Sequence, residues 1–314
     1  MGLYIYTQWQ GLKKKHKNLV VGLGNFDGVH LGHRKLISEL VAMAKELEGT
    51  PAVFTFHPHP MSVLSPGNCP PLLLSQEAKQ KIMAELGIQV LLMVPFTAEL
   101  ASCPPKAFVK RVLCEEMGVR GVVVGYNYTF GRGGVGTPAL LKEMSHECGY
   151  KFLVIPPVEV DGQLVSSTLI RNLLQNGDVE GAAKLLGYSP FIEGHVVYGD
   201  GRGKRLGFPT ANIDIDEDLI VPANGVYLAE VHVEGAGIYP GLANIGVKPT
   251  FNVNIRNIEV HILDFYGDLY GKSIKVIFYR RLREETKFNS ASDLIEQISR
   301  DVERAREEWL KIKE

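Results

Sequence analysis

The sequence predicts an α/β fold, a doubly wound parallel sheet followed by a small antiparallel β-barrel domain with a C-terminal helix. Three patterns predict it. Short apolar runs at Leu19–Leu23, Pro51–Phe56, Val90–Val94, Gly121–Gly125 and Lys151–Ile155 alternate with stretches of helical periodicity, the order of a parallel sheet. Beyond Tyr188-Ser189-Pro190 the pattern changes to short segments bounded by Gly and Pro turns: Phe191–Tyr198, Gly225–Val233, Ile238–Ile245, Asn257–Phe265 and Ser273–Leu282. Ala291–Lys313 then reads as one charged amphipathic helix. A chain of 314 residues has room for two cores, and the expected division is 1–187 and 188–314.

Taken in order, the strand Leu19–Leu23 runs into the turn Gly24-Asn25-Phe26-Asp27-Gly28. A helix starts near Leu31 with its apolar face at Leu36, Ile37, Leu40, Val41, Ala44 and Leu47. Strand, Gly-rich turn and helix N-terminus make an anion site, because the first-turn N–H groups point outward and glycines let a phosphate approach the main chain. His30 and His33 sit one helical turn apart, so both imidazoles can donate to the same phosphate chain. A bare His-x-x-His reads as two surface histidines or two metal ligands. The ordered context, with Gly32 leaving space above the helix end, favours phosphate.

Pro51–Phe56 ends in His57-Pro58-His59-Pro60, which cannot continue a central strand, so these histidines lie at a strand's C-terminal edge. Ser75 caps a helix running to Leu86, and Pro105–Met117 is amphipathic. The strand Gly121–Gly125 leads into Tyr126-Asn127-Tyr128-Thr129-Phe130-Gly131-Arg132-Gly133-Gly134, a loop suited to a planar ligand and a phosphate together. Further on, Ser166 or Ser167 caps a helix Thr168–Gln175, whose N-terminus offers a second phosphate site within reach of Arg171.

These stretches resemble the HxGH nucleotidylyltransferases, and GNFDGVHLGH resembles in particular the FMN adenylyltransferase module of bacterial riboflavin kinase/FAD synthetases. The resemblance implies that His30 and His33 bind ATP phosphates and stabilise the transition state, with Gly24, Asn25, Phe26, Asp27 and Gly28 in the same nucleotide site. It assigns Ser167, Thr168 and Arg171, within an SSTxIR motif, to the ATP phosphates. Asn127 matches a flavin-side substrate position, while Tyr128 and Thr129 depart from the Phe-Arg of one family version. The TFxPHP loop falls near nucleotide or flavin with no catalytic role. No covalent enzyme intermediate is expected, so positioning and electrostatics carry the catalysis.

In the second half, Gly199 to Asn212 (GDGRGKRLGFPTAN) lacks the Gly-Lys-Ser/Thr of a Walker loop. Its closely spaced glycines with Lys204 and Arg205 read either as a flexible basic hairpin or as a polyphosphate loop, and Thr210 and Asn212 offer two oxygen ligands for magnesium. Ile258-Glu259-Val260-His261-Ile262 alternates, with Glu259 and His261 on the face opposite the apolar residues. GKxxGFPTAN resembles the riboflavin kinase signature. That resemblance implies a kinase nucleotide site at Gly201, Gly203, Lys204, Gly207, Thr210 and Asn212, with Thr210 and Asn212 holding Mg2+, and it makes Glu259 the catalytic base. The stretch Gly241–Phe251 matches the family's GxxNIGxxPTF segment, on the flavin side. Residues 281–288 match its FLRxExKF segment, which puts Arg283 and Phe288 over the flavin.

The resemblance covers essentially the whole chain and implies a bifunctional enzyme. Riboflavin and ATP give FMN and ADP in the C-terminal domain; FMN and ATP give FAD and pyrophosphate in the N-terminal one. ATP is the co-substrate of both reactions and Mg2+ their cofactor. One alternative keeps only the adenylyltransferase, with a barrel that binds flavin without kinase activity. Another is a nucleic-acid-binding protein, but a formal net charge of −1 lacks the basic excess such binding requires. The one dense basic run, Lys13-Lys14-Lys15-His16-Lys17, reads as a solvated loop. Four cysteines without CxxC spacing suggest neither a zinc site nor a disulfide framework. No apolar stretch approaches the roughly 18 residues of a membrane span, so the expectation is a cytoplasmic protein that binds neither membrane nor nucleic acid.

Overall fold

The computed structural model describes residues 2–199, 201–250 and 253–313. Asp200 and Phe251, each part of a stretch singled out above, lie outside the described residues. By internal contacts the chain forms two compact units, Met1–Leu72 with Gln76–Ser166, and Leu73–Ser75 with Ser167–Glu314.

The first unit is built on six parallel strands, β1 (Tyr4–Tyr6), β2 (Val20–Leu23), β3 (Pro51–Phe56), β4 (Val90–Val94), β5 (Gly121–Gly125) and β6 (Lys151–Ile155), in the order β1-β4-β3-β2-β5-β6. β2 and β4 are buried along their whole length, as strands of a parallel sheet covered on both faces must be. The sequence pattern missed β1, three residues long and largely exposed on its faces, because so short an edge strand has no periodicity to read.

The helices of this unit are α1 (Leu12–Lys15), α2 (Leu31–Glu46), α3 (Pro60–Leu64), α4 (Gln76–Glu85), α5 (Ala98–Ala101), α6 (Pro105–Ala107) and α7 (Pro138–Cys148). The amphipathic stretch after α6 continues as a π-helix over Phe108–Glu116 and buries Phe108, Val109, Val112 and Leu113. The basic run expected as a loop forms α1; Leu12 anchors it in the core while Lys13, Lys14 and Lys15 face solvent. Sequence-adjacent strands step outward from β2 through β3 to β4, whereas β5 and β6 step the other way. The direction of winding therefore reverses between β2 and β5, and at such a reversal the loops beyond the strand C-termini open a crevice. A short hairpin, β7 (Glu159–Val160) with β8 (Gln163–Leu164), closes the unit.

The second unit begins with α8 (Ser167–Gln175) and α9 (Val179–Leu186). Both belong to it by contact: the Ala223 amide donates to the Leu174 carbonyl at 2.9 Å, and Arg280 on the barrel pairs with Glu180. Its strands are β9 (Phe191–Val197), β10 (Ala211–Asp214), β11 (Gly225–Val233), β12 (Gly237–Thr250), β13 (Val253–Ile262) and β14 (Ser273–Arg283), with the single turn α10 (Arg202–Arg205) between β9 and β10. They close as an antiparallel barrel in the order β10-β13-β12-β11-β14-β9. The strand β10 went unread because Pro209 and the glycines before it carry turn signals up to its first residue. Yet β10 closes the barrel by pairing with both β9 and β13. The last helix, α11 (Ala291–Lys313), has the bounds the periodicity predicts.

Candidate functional sites

In the first unit, β2 ends at Leu23 and the chain turns through Gly24–Val29 into α2. Phe26 and Val29 hold positive φ, +52° and +35°, and Gly28 holds +81°. For residues other than Gly this is costly, and for a β-branched Val it is exceptional, which marks a turn held by its surroundings. The Phe26 ring is buried in the core, the Arg34 guanidinium donates to the Val29 carbonyl at 3.2 Å, and the Thr55 hydroxyl donates to the Asn25 carbonyl at 3.0 Å.

His30 is the N-cap of α2. Its Nδ1 accepts the His33 backbone N–H at 3.3 Å, so in the neutral ring the proton sits on Nε2, a donor. The rings of His30 and His33 stack with 3.6 Å between centroids and 15° between planes. Burial, then the neighbouring His30, then Lys79 hold the His33 pKa well below the ordinary 6.5. The Nδ1 atom of His33 is buried without a hydrogen-bond partner, an acceptor or donor left for a ligand. Gly32 leaves room for the histidine itself: a Cβ at that position would lie 3.1 Å from Cε1 of His30, a tight contact.

Asn127 lies beyond the C-terminus of β5, the strand beside β2, in an exposed turn closed by the Tyr128 amide donating to the Gly125 carbonyl. The winding reversal thus brings the His30 turn and the Asn127 loop to the ends of adjacent strands. Tyr128 instead turns inward and stacks on Phe130, where burial pushes its pKa up. The neighbouring His59 of the TFxPHP loop has its Nε2 3.4 Å from the Asn25 amide nitrogen, an N–H donor. Ser167, Thr168 and Arg171 are on the first two turns of α8 in the second unit, with Arg171 buried to 8% exposure.

Sequence reasoning missed Lys79. It lies on α4, is 4% exposed, and donates from Nζ to the Asn25 carbonyl at 3.2 Å. The available signal was a lysine on the apolar face of a helix, beside Ala78 and one turn before Ile82 and Met83.

In the second unit, strand alternation on β13 buries Ile258, Val260 and Ile262 and turns Glu259 and His261 to the other face. Register sets Glu259 beside Asn212 of β10 and Asn244 of β12. The Thr210 hydroxyl donates to one Glu259 carboxylate oxygen at 3.2 Å, and the Asn257 amide donates to the other at 2.7 Å. His261 bonds the Pro209 carbonyl at 2.8 Å, tying the same segment to β13.

Gly199 and Gly203 explain part of the glycine pattern. A Cβ at 199 would fall 2.0 Å from the Asn212 amide nitrogen, and one at 203 would fall 2.3 Å from the Phe208 carbonyl oxygen. Gly201 and Gly207 hold φ of +64° and +89° on either side of α10, which carries Lys204. Arg283 and Phe288 come together, with the guanidinium 5.7 Å from the ring centre. The Nε of Arg283 donates to buried Asp301 on α11 at 2.8 Å. No group of three or more His, Cys, Asp or Glu able to hold a metal occurs among the described residues. Thr210, Asn212 and Glu259 instead form a small oxygen set with a single carboxylate. Such a set fits Mg2+, which keeps waters and takes substrate phosphates as further ligands.

Two family models match in sequence: one described as FAD synthetase over residues 12–169, one described as riboflavin kinase over 186–309. Among curated proteins, the bifunctional riboflavin kinase/FMN adenylyltransferase of Bacillus subtilis (strain 168) is 40% identical over 300 residues, covering 94% of this chain and 93% of that protein. The chain belongs to the bifunctional riboflavin kinase/FMN adenylyltransferase family. The family member of Escherichia coli (strain K12) is 35% identical and covers 92% of each chain. The crystal structure described as a macrolide-efflux protein from Streptococcus pneumoniae matches with a TM-score of 0.88 and 30% identity, over 98% of this chain and 99% of that one. Among the described residues, no helix is long and apolar enough to cross a membrane. The two family matches fall in the chain order that the two sites here show, adenylyltransferase motifs first and kinase motifs second.

Proposed function

We propose that the two reactions of the family are carried by separate sets of side chains, the first centred on His30 and His33 and the second on Glu259. The chain phosphorylates riboflavin to FMN with ATP and adenylylates FMN to FAD with release of pyrophosphate. The division of labour is residues 1–187 for adenylylation and 188–314 for phosphorylation.

In adenylylation, a phosphate oxygen of FMN attacks the α-phosphorus of ATP and pyrophosphate leaves, so charge builds on phosphate oxygens and no enzyme nucleophile is needed. The His30 Nε2–H and the His33 ring serve as donors to those oxygens, while the Gly24–Gly28 turn and the first amides of α2 receive the rest of the charge. Ser167, Thr168 and Arg171 are the further ATP-phosphate residues, and Asn127 is on the flavin side. The stacked histidine pair at the N-terminus of α2 carries this reading.

In phosphorylation, Glu259 takes the proton of the ribityl hydroxyl as its oxygen attacks the γ-phosphorus, and ADP departs. Two neutral hydrogen bonds, from Thr210 and Asn257, orient the carboxylate. Thr210 and Asn212 are the residues that would hold Mg2+, which supplies charge neutralisation on the phosphates when bound. Gly201, Gly203, Lys204 and Gly207 cover the polyphosphate, and Arg283 with Phe288 borders the flavin. Free cysteines, four of them, agree with action in the cytoplasm.

The deciding experiment follows flavins chromatographically while purified protein is incubated with riboflavin, ATP and magnesium. FMN accumulating first and FAD after it is the expected course. Conversion of supplied FMN to FAD without any conversion of riboflavin would remove the kinase assignment from the barrel.

A further inference from the structure

Among the described residues, Lys79 is the one buried lysine, and the phosphate-site reading leaves its place unused. The face of α4 that holds Ala78, Ile82 and Met83 is apolar, and a lysine there gives up the hydration of its ammonium. Removing an ammonium from water costs several kcal/mol unless its donors find strong partners. Its partners are all on the turn before His30. Nζ donates to the Asn25 carbonyl at 3.2 Å, and the same oxygen accepts the hydroxyl of fully buried Thr55 at 3.0 Å. Asp27, 3% exposed, is the anion that favours the ammonium, although desolvation still leaves the Lys79 pKa below its ordinary value. Two side chains from different elements thus clamp one carbonyl, in a turn whose next residue, Phe26, holds φ of +52°. A left-handed non-glycine residue persists only where its surroundings over-determine it.

We propose that Lys79 is a positioning residue of FMN adenylylation: its ammonium, seated on the Asn25 carbonyl beside Asp27, holds the turn that sets His30 and His33 for the ATP phosphates. The proposal rests on the reading of those histidines given above. It also accounts for a property of His33. The charges facing that ring are His30 from the same helix end and Lys79 from α4, and both disfavour its protonation. After burial and His30, Lys79 is thus a third influence that lowers the His33 pKa, and it acts without touching substrate itself.

The test uses the full chain with Lys79→Met and Lys79→Gln, beside wild type and His30→Ala. FAD formation from FMN is expected to fall by about 100-fold in kcat, the scale of a small misplacement of catalytic groups, while FMN formation from riboflavin is unchanged. The midpoint of the His33 ring titration, followed by NMR, is expected to move up toward 6.5. A residue that only supports the fold would leave that midpoint where it is. Wild-type FAD formation in both Lys79 variants, loss of activity with no His33 shift, or loss of cooperative folding in both variants would each overturn the role of Lys79. FAD formation by His30→Ala would overturn the site reading itself, a separate outcome.

Discussion

The imidazoles of His30 and His33 lie face to face with 3.6 Å between ring centres, the first buried and capping α2, the second half-buried in the first turn of that helix. Two imidazolium rings at that distance would repel strongly, and the neighbouring His30 is one cause of the lowered His33 pKa, after burial.

His30 is the first substitution to make. His30→Ala removes both the N-cap acceptor and the Nε2 donor, and FAD formation should fall by about 100-fold to 1000-fold, the usual loss for one oxyanion-type donor. FMN formation from riboflavin should persist, and separating the two flavins by chromatography reads both rates in one sample. Loss of both activities from folded protein would refute two independent sites.

Gly32→Ala separates stability from catalysis. Alanine in a helix is favoured over glycine by about 0.5–1 kcal/mol. Its Cβ, however, would lie 3.1 Å from Cε1 of His30, so that the ring must give by a few tenths of an ångström. The expected result is an unchanged or raised Tm together with slower FAD formation and an unaltered kinase rate.

In the proposed kinase site, Glu259 and Thr210 are the residues to change. Glu259→Gln keeps the shape and removes the base, so FMN formation should fall by about 100-fold to 10,000-fold, with FAD formation intact when FMN is supplied. Thr210→Val removes the hydroxyl that donates to Glu259 and is offered to Mg2+. Its loss should appear as a higher magnesium requirement in the kinase assay alone.

The pH dependence follows from His33. Its folded pKa lies below 6.5, so the unfolded chain binds the proton more tightly than the folded one. Stability is therefore full above 6.5 and declines as pH falls from 6.5 to the lowered value, then levels off. In thermal unfolding without nucleotide, His33→Gln should lose less Tm than wild type between neutral and mildly acidic pH. ATP binding to wild type should take up protons in that window, measurable by calorimetry in buffers of different ionisation enthalpy.

How far could the chain be read without coordinates? Local rules were enough for the elements with long or strict periodicity. α2 follows a Gly-rich turn, β13 alternates at Glu259, and α11 spans the predicted Ala291–Lys313. Short elements at the edges escaped: β1 has three residues, and β10 follows the turn segment Gly207-Phe208-Pro209-Thr210. Their existence depends on partners far away in sequence, Val90 for Tyr4 and Val260 for Ala211.

By itself, the sequence determined the order of sheet and barrel and supplied the residue types of the two proposed sites. It did so because hydrophobic period, glycine placement and histidine or carboxylate spacing are local properties of the chain. Only the tertiary structure decided how those residues act on one another. Strand order set the Asn127 loop beside the turn of His30, and register set Glu259 beside Asn212 and within reach of Thr210. It also brought Lys79, 54 residues along the chain from Asn25, under the turn. Desolvation and Coulomb interaction depend on distance in space rather than along the chain, so the lowered pKa of His33 and the burial of Lys79 belong to the folded molecule alone.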